Sequence, residues 1–138
     1  MTSNFFFVMI LTFFLLSTND SIELKKVKIN FVNKDIETPY NVSCSNFESF
    51  FGNNEFKEKV ILNHDELNKV MNFINNVKKD SSLKKEIDVR AKIYLYYSNG
   101  KQTTICIDKF DNAVLDNKYV VSKSGLYSIV IRNCEGFK

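Results

Sequence analysis

The sequence predicts an α+β fold, in which an antiparallel sheet of four to five strands carries a main amphipathic helix (residues 64–78) and a C-terminal helix on one face. Two periodic patterns predict it. Apolar and polar residues alternate in several short stretches, as in half-buried strands, and in one longer stretch apolar residues recur every three or four positions, as on a helix. With 44% hydrophobic and 25% charged side chains in 138 residues, the chain is expected to bury one core.

The N-terminal segment differs sharply in composition from the rest. No charged side chain precedes Asp20, and residues 5–16 form an uninterrupted, largely apolar run. As a helix this run would be about 18 Å long, too short for the roughly 20 residues that a bilayer core needs. We therefore expect residues 1–18 to be a signal peptide or short N-terminal anchor, although no Lys or Arg precedes the run. Residues 19–138 then form a single domain, exported to the periplasm or outside the cell; the alternative is a hydrophobic N-terminal strand.

The first half of the domain begins with a predicted strand over residues 25–31, where apolar and polar side chains alternate. After a polar stretch, Ser45 and Glu48 have the spacing of a capping box, in which both side chains satisfy free N–H groups at a helix start. A short helix is expected there, ending at Gly52. Its apolar residues, which we interpret as core rather than as a ligand pocket, are Phe47, Phe50 and Phe51.

Residues 56–62 form the second predicted strand and lead directly into the main helix. Asn63 is suited to cap that helix, because its side chain can accept hydrogen bonds from the first free N–H groups. Apolar side chains then recur at intervals of three and four residues, which predicts one buried helix face. They are Leu67, Val70, Met71, Ile74 and Val77.

Residues 87–97 form the longest alternating pattern, and Asn99-Gly100 marks a turn to the next strand. A two-residue turn would place apolar residues opposite polar ones. A three-residue turn with Gly100 at positive φ instead pairs Ile93 with Ile105 and keeps the apolar face consistent. The pairs predicted on the opposite, polar face are Arg90–Asp108, Lys92–Cys106, Tyr94–Thr104 and Tyr96–Gln102.

The C-terminal part contains a broken strand over residues 113–121, followed by a segment with two interpretations. Alternation of Tyr127, Ile129 and Ile131 favours a strand. The helical spacing after a capping Ser122 favours a helix, with Gly136 just beyond its end. We expect a helix over residues 122–134.

Three cysteines, Cys44, Cys106 and Cys134, are widely spaced, and the chain has one histidine, so no zinc site is expected. In an oxidising compartment they allow one intramolecular disulfide. We expect it to join Cys44 and Cys134, because both lie in irregular or terminal segments that a crosslink would hold. The alternative is three reduced, partly buried cysteines.

No catalytic, cofactor-binding or metal-binding residues are assigned. His64 lies beside Asp65 and Glu66 in the first helical turn, where acidic side chains already have a structural role. The Asp- and Asn-rich residues 108–117 lack the ligand order of a calcium-binding loop and are better explained as turns. Asn41-Val42-Ser43 is an N-glycosylation sequon, with meaning only in a eukaryotic secretory pathway.

The polar face of the longest strand is the predicted interaction site, through Arg90, Lys92, Tyr94 and Tyr96, because aromatic residues and Arg are enriched in protein interfaces. The alternative is Tyr–Thr packing that only stabilises the sheet. The net charge of +3 is too small and too dispersed to predict nucleic-acid binding.

The leading hypothesis is a small exported, non-catalytic module that binds another protein, as an inhibitor or immunity-type partner does, with membrane contact only through an uncleaved leader. The alternatives are a carrier of a small ligand or lipid, suggested by the 13 Phe residues, and a small hydrolase that uses His64.

Overall fold

A computed structural model describes residues 21–52, 54–76, 86–116, 119–121 and 134 of the chain. The expected signal peptide or anchor (residues 1–18) and the C-terminal helix expected after Ser122 lie outside the described residues. Within them, one antiparallel sheet carries two helices, which confirms the predicted α+β class. No helix in these described ranges is long and apolar enough to cross a membrane.

The sheet has the strand order β2-β1-β3-β4-β5-β6, and every neighbouring pair is antiparallel. The strands are β1 (Leu24–Phe31), β2 (Lys57–Ile61), β3 (Val89–Tyr97), β4 (Gln102–Asp108), β5 (Ala113–Leu115) and β6 (Tyr119–Val121), and the helices are α1 (Phe47–Phe51) and α2 (His64–Asn76). The sheet exceeds the expected four or five strands because the broken strand over residues 113–121 forms two short strands that pair with each other.

The β3–β4 hairpin has the predicted register over most of its length. Ile93 pairs with Ile105, and Gly100 has φ +79°, as the three-residue turn requires. One predicted pair is wrong: Asp108 lies opposite Val89, not Arg90, because the pairing shifts between residues 89 and 91. A β-bulge of this kind inserts one residue and changes which face the following side chains occupy.

One face of the sheet is covered by α2. Asn63 caps this helix, since its Oδ1 accepts hydrogen bonds from the backbone N–H groups of Asp65 and Glu66 at 2.9 and 3.2 Å. Leu67 and Val70 of α2 are buried against the apolar rows of the strands. The central sheet residues of this core, all fully buried, are Val27, Ile29, Ala91, Ile93, Leu95 and Ile107.

The opposite face is partly covered by the segment of residues 32–52, which we call the flap. Its helix α1 buries Phe47 and Phe51 against Val89 of β3 and Cys106 of β4. Phe47 and Phe51 are therefore core, as expected, whereas Phe50 is only partly buried against them, and α1 is followed by Gly52 at φ +66°. The capping box predicted for Ser45 and Glu48 does not form, because the Glu48 side chain points across the sheet to β3.

The disulfide joins Cys44 of the flap to Cys106 of β4, so the expected pairing of Cys44 with Cys134 is wrong. The sheet itself explains the correction. Cys106 lies on the flap side with the Phe cluster, whereas Cys134 is buried in the core on the α2 side. A bond from Cys44 to Cys134 would have to pass through the sheet.

Candidate interaction surface

The polar face of the sheet is divided into a covered half and an open half. In the covered half, Asn30, Lys92 and Cys106 lie side by side on β1, β3 and β4. Asn30 and Cys106 are buried, and the Lys92 side chain is only 13% exposed. The flap therefore occupies part of the surface that the sequence predicted to be open.

Arg90, predicted as an exposed interaction residue, is 2% exposed and belongs to the interior. Its guanidinium forms an ion pair with Asp88, with an Nη1–Oδ1 distance of 2.7 Å, and Nη2 donates to Thr38 Oγ1 at 3.2 Å. Asp88 Oδ1 also accepts a hydrogen bond from the Val42 backbone N–H at 2.9 Å. The prediction that Arg90 faces outward is thus wrong: Arg90 and Asp88 together bind the flap through Thr38 and Val42.

Lys92 and Tyr94 are also engaged by the flap, through Glu48 of α1. Lys92 Nζ lies 2.7 Å from Glu48 Oε2, and the Tyr94 hydroxyl donates to Glu48 Oε1. Burial opposes ionisation of Glu48, but the hydrogen bonds from Lys92 and Tyr94 outweigh it, and the pKa of Glu48 is lowered. Burial and the bond to Glu48 raise the pKa of Tyr94, so this hydroxyl remains a neutral donor.

The open half of the polar face is a patch that we call the tyrosine face. Its residues are Lys26, Lys28, Val60, Tyr94, Tyr96, Gln102 and Thr104. The Tyr94 and Tyr96 rings stack with centroids 6.5 Å apart, and Lys26 Nζ lies 4.4 Å from the centroid of the Tyr96 ring. Tyr96, half-buried and beyond the flap, is the predicted site residue that keeps most of its expected setting.

The tyrosine face extends onto the edge strand β2, which the sequence interpretation left out. Val60 pairs with Lys28 and is 45% exposed, and Leu62 just beyond the strand is 68% exposed. Lys28 Nζ forms an ion pair with Glu58 at 2.6 Å. Lys26 and Lys28 therefore lie between the tyrosine pair and the apolar residues Val60 and Leu62. The alternation in residues 25–31 was the sequence signal that could have placed these lysines beside the tyrosines.

His64 is not arranged as a catalytic base. Its side chain is 72% exposed, Nε2 lies 3.1 Å from Glu23 Oε1, and Nδ1 lies 3.0 Å from Asn68 Nδ2. Both ring nitrogens therefore face neighbours other than a nucleophile, which a Ser-His or Cys-His mechanism would require. The hydrolase hypothesis gains no support from this geometry.

The acidic residues after β4 build turns. Asp108 is buried, and its Oδ1 accepts hydrogen bonds from the backbone N–H groups of Phe110 and Asn112 at 2.8 and 2.9 Å. Asp116 Oδ1 accepts from the Thr104 backbone N–H at 2.8 Å. No group of three or more metal-ligating side chains occurs among the residues that the structure describes.

Among the residues that the structure describes, surface hollows of about 160 and 340 Å³ lie on the flap side. The second is lined by residues around Arg90, and the first by Tyr40, Asn41, Val42, Ser43, Asn46, Ser49 and Phe50. Neither reaches the interface between α2 and the sheet, where a carrier would need its cavity. The carrier hypothesis therefore gains no support from these hollows.

Comparison of the chain with protein-family models, with curated proteins and with solved structures finds no match. The function is therefore inferred from the geometry of the described residues.

Proposed function

We propose that the protein is a small exported, non-catalytic module that binds another protein through the tyrosine face. The observation that carries the proposal is the stacked pair Tyr94 and Tyr96, which lies with Lys26 and Lys28 on the tyrosine face, where all four residues are partly exposed. Aromatic residues are enriched at the centres of protein interfaces.

The backbone under the tyrosine face supports this role. Lys26 and Lys28 on β1 pair with Tyr96 and Tyr94 on β3, and both strands continue into the fully buried core. A rigid platform reduces the entropy lost on binding, because few groups need to be ordered. Residues displayed this way form a preorganised surface rather than a mobile loop.

The chemistry of the tyrosine face favours a partner with carboxylates beside apolar groups. Lys26 lies over an aromatic ring, so an acidic side chain could approach the ammonium group while an apolar neighbour packs on the tyrosines. The exposed Val60 extends this apolar area.

Export is supported by the covalent structure as well as by the apolar N-terminal run. The Cys44–Cys106 disulfide is compatible with an oxidising compartment outside the cytoplasm. A partner would then be a secreted, periplasmic or cell-surface protein.

The test compares two Lys–aromatic pairs. In the first variant, Lys26→Glu is combined with Tyr96→Ala on the tyrosine face. The matched control combines Lys109→Glu with Phe110→Ala in the turn after β4. There Lys109 Nζ lies 5.2 Å from the centroid of the Phe110 ring, and Phe110 is 69% exposed. Partners are captured from the native source by a photocrosslinking residue at position 96 or 110, identified by mass spectrometry, and their affinity is measured by titration calorimetry.

The proposal predicts that position 96 crosslinks to a partner that position 110 does not reach. It also predicts that the purified partner binds the Lys26/Tyr96 variant at least about tenfold more weakly, equivalent to about 1.4 kcal/mol, while the control binds like the wild type. Equal affinity of both variants would contradict the proposal, provided that their circular dichroism spectra match the wild type.

A further inference from the structure

Residues 41–43 have a backbone arrangement that separates one buried residue from two exposed ones. Val42 is 1% exposed, its N–H donates to Asp88 Oδ1 at 2.9 Å, and its carbonyl accepts from the Val89 N–H at 2.9 Å. Asn41 and Ser43 on either side of it are exposed. The two side chains that an N-glycosylation sequon requires are therefore directed away from the core.

The surface next to Asn41 is suited to a sugar. A hollow of about 160 Å³ is lined by Asn41 and Ser43 together with the rings of Tyr40 and Phe50, which meet edge to face with centroids 5.2 Å apart. Tyr40 is 65% exposed. Sugar rings pack their C–H faces on aromatic rings and hydrogen-bond to hydroxyls and amides, and both kinds of group are present here.

From these observations we infer that Asn41 is an acceptor of an N-linked oligosaccharide. In the transfer, Asn41 Nδ2 forms a bond to the anomeric carbon of a lipid-diphosphate-linked oligosaccharide. The bond from that carbon to the diphosphate oxygen breaks, the lipid diphosphate leaves with the electron pair, and Nδ2 loses a proton. The co-reactant and the transferase are those of a eukaryotic secretory pathway.

The inference rests on the exported location in the proposed function, and the disulfide connects the two. Cys44, the residue after the sequon, is bonded to Cys106, so the flap reaches its covalent structure in an oxidising compartment. Oligosaccharide transfer takes place in the same compartment.

The position of Asn41 leaves the tyrosine face free. Val42 bonds to Val89 at the start of β3, whereas Tyr96 lies near its end. At roughly 3.3 Å per residue, the two positions on β3 are about 23 Å apart. Glycosylation at Asn41 is thus compatible with a partner on the tyrosine face, and removal of the acceptor should leave partner affinity unchanged.

The experiment expresses the full chain in insect cells. Asn19-Asp20-Ser21 is a second sequon, directly after the expected leader, so every form carries Asn19→Gln. The reference form is compared with Asn41→Gln, with Ser43→Ala, and with Ser43→Thr, which keeps the required hydroxyl. Ser45→Ala removes a nearby hydroxyl outside the sequon. Gel mobility before and after treatment with peptide N-glycosidase, and peptide mass spectrometry, report the sugar.

We expect most secreted molecules of the reference, Ser43→Thr and Ser45→Ala forms to carry a sugar on Asn41, and the Asn41→Gln and Ser43→Ala forms to carry none. Secreted, disulfide-bonded protein without sugar on Asn41 would overturn the inference. If the native leader does not direct secretion, the proposed exported location is contradicted separately. A form with a host secretory leader before Met1 then tests Asn41: sugar on Asn41 supports the inference, and secreted, disulfide-bonded protein without it overturns the inference.

Discussion

The two faces of the sheet are covered in different ways. On one face, α2 packs an apolar stripe against apolar rows of the strands, and Leu67 and Val70 are buried there. On the other, the flap is held by the Cys44–Cys106 bond, by hydrogen bonds that join Thr38 and Val42 to the Arg90–Asp88 pair, and by Glu48. The first cover depends on hydrophobic burial, whereas the second adds a covalent bond and partly buried charges to its Phe cluster.

This difference matters for function because the flap decides which part of the polar face remains open. Glu48 reaches Lys92 and Tyr94, and Tyr94 lies at the margin where the covered half meets the rest of the tyrosine face. A flap that detached would expose Phe47 and Phe51 and change the chemistry of the whole face. The extent of the interaction surface therefore depends on whether the flap stays attached, as well as on the sheet.

The largest expected effect of a single change on the flap side comes from Asp88→Ala. This change leaves the Arg90 charge buried without its carboxylate and also removes the acceptor of the Val42 N–H. Breaking a buried ion pair costs about 3–5 kcal/mol of unfolding free energy. Denaturant unfolding should show this loss for Asp88→Ala and a smaller one for Asp88→Asn, which keeps an oxygen for Val42. Wild-type stability of Asp88→Ala would contradict the role assigned to the pair.

On the α2 side, the largest effect should come from a cavity. Leu67 is 5% exposed, so Leu67→Ala should lower the unfolding free energy by about 2–5 kcal/mol. Leu62→Ala removes the same atoms from a side chain that is 68% exposed, and it should change stability by less than about 0.5 kcal/mol. Equal losses in the two variants would show that α2 does not cover a packed core.

Removal of the disulfide should cost somewhat less than these core changes. The double variant Cys44→Ala with Cys106→Ala opens a loop defined by a separation of 62 residues, and such a loss typically costs about 2–4 kcal/mol. Cys134→Ala is the control for the pairing: this variant should still lose stability when a reductant is added. If Cys134→Ala abolished the effect of the reductant, the assignment of Cys44 to Cys106 would be wrong.

The smallest expected effect is a pH dependence from Glu48. Its pKa is lowered in the folded state, so its contribution to stability is present above the unfolded pKa, about 4.5, and is lost as pH falls through the folded value. Because the pair is partly exposed, the contribution should be below about 1 kcal/mol. Wild type should therefore lose more stability than Glu48→Gln in unfolding measurements below pH 4.5, with Tyr94→Phe between them. Parallel curves would contradict this contribution.

The α2 side could be predicted from the sequence because its buried residues recur at the regular spacing of a helix or a strand. The three- and four-residue spacing gave the helix its buried face, and the alternation in β3 and β4 was enough to fix the pairing of Ile93 with Ile105. The number of strands could not be predicted in this way, since nothing in residues 113–121 distinguished one broken strand from two paired strands.

The flap side could not be predicted in the same way, because alternating polar residues are compatible with water or with a charged cover. Glu48 fitted a capping box locally, but its contacts with Lys92 and Tyr94 lie 44 and 46 positions away along the chain. The contact with Thr38 of the flap, where Arg90 is buried, left no local signal. Cys106, in the middle of a polar row, was the one residue that could have indicated a cover on that face.

Amide hydrogen exchange of the oxidised and the reduced protein tests whether the flap is fastened to the sheet separately from α2. The amides of Val42 and Val89 report on the flap, through their bonds to Asp88 and to the Val42 carbonyl, and the amide of Leu67 reports on α2. We predict that reduction accelerates exchange at Val42 and Val89 much more than at Leu67. Equal acceleration at all three amides would show that flap and helix open together, and would contradict this separate fastening.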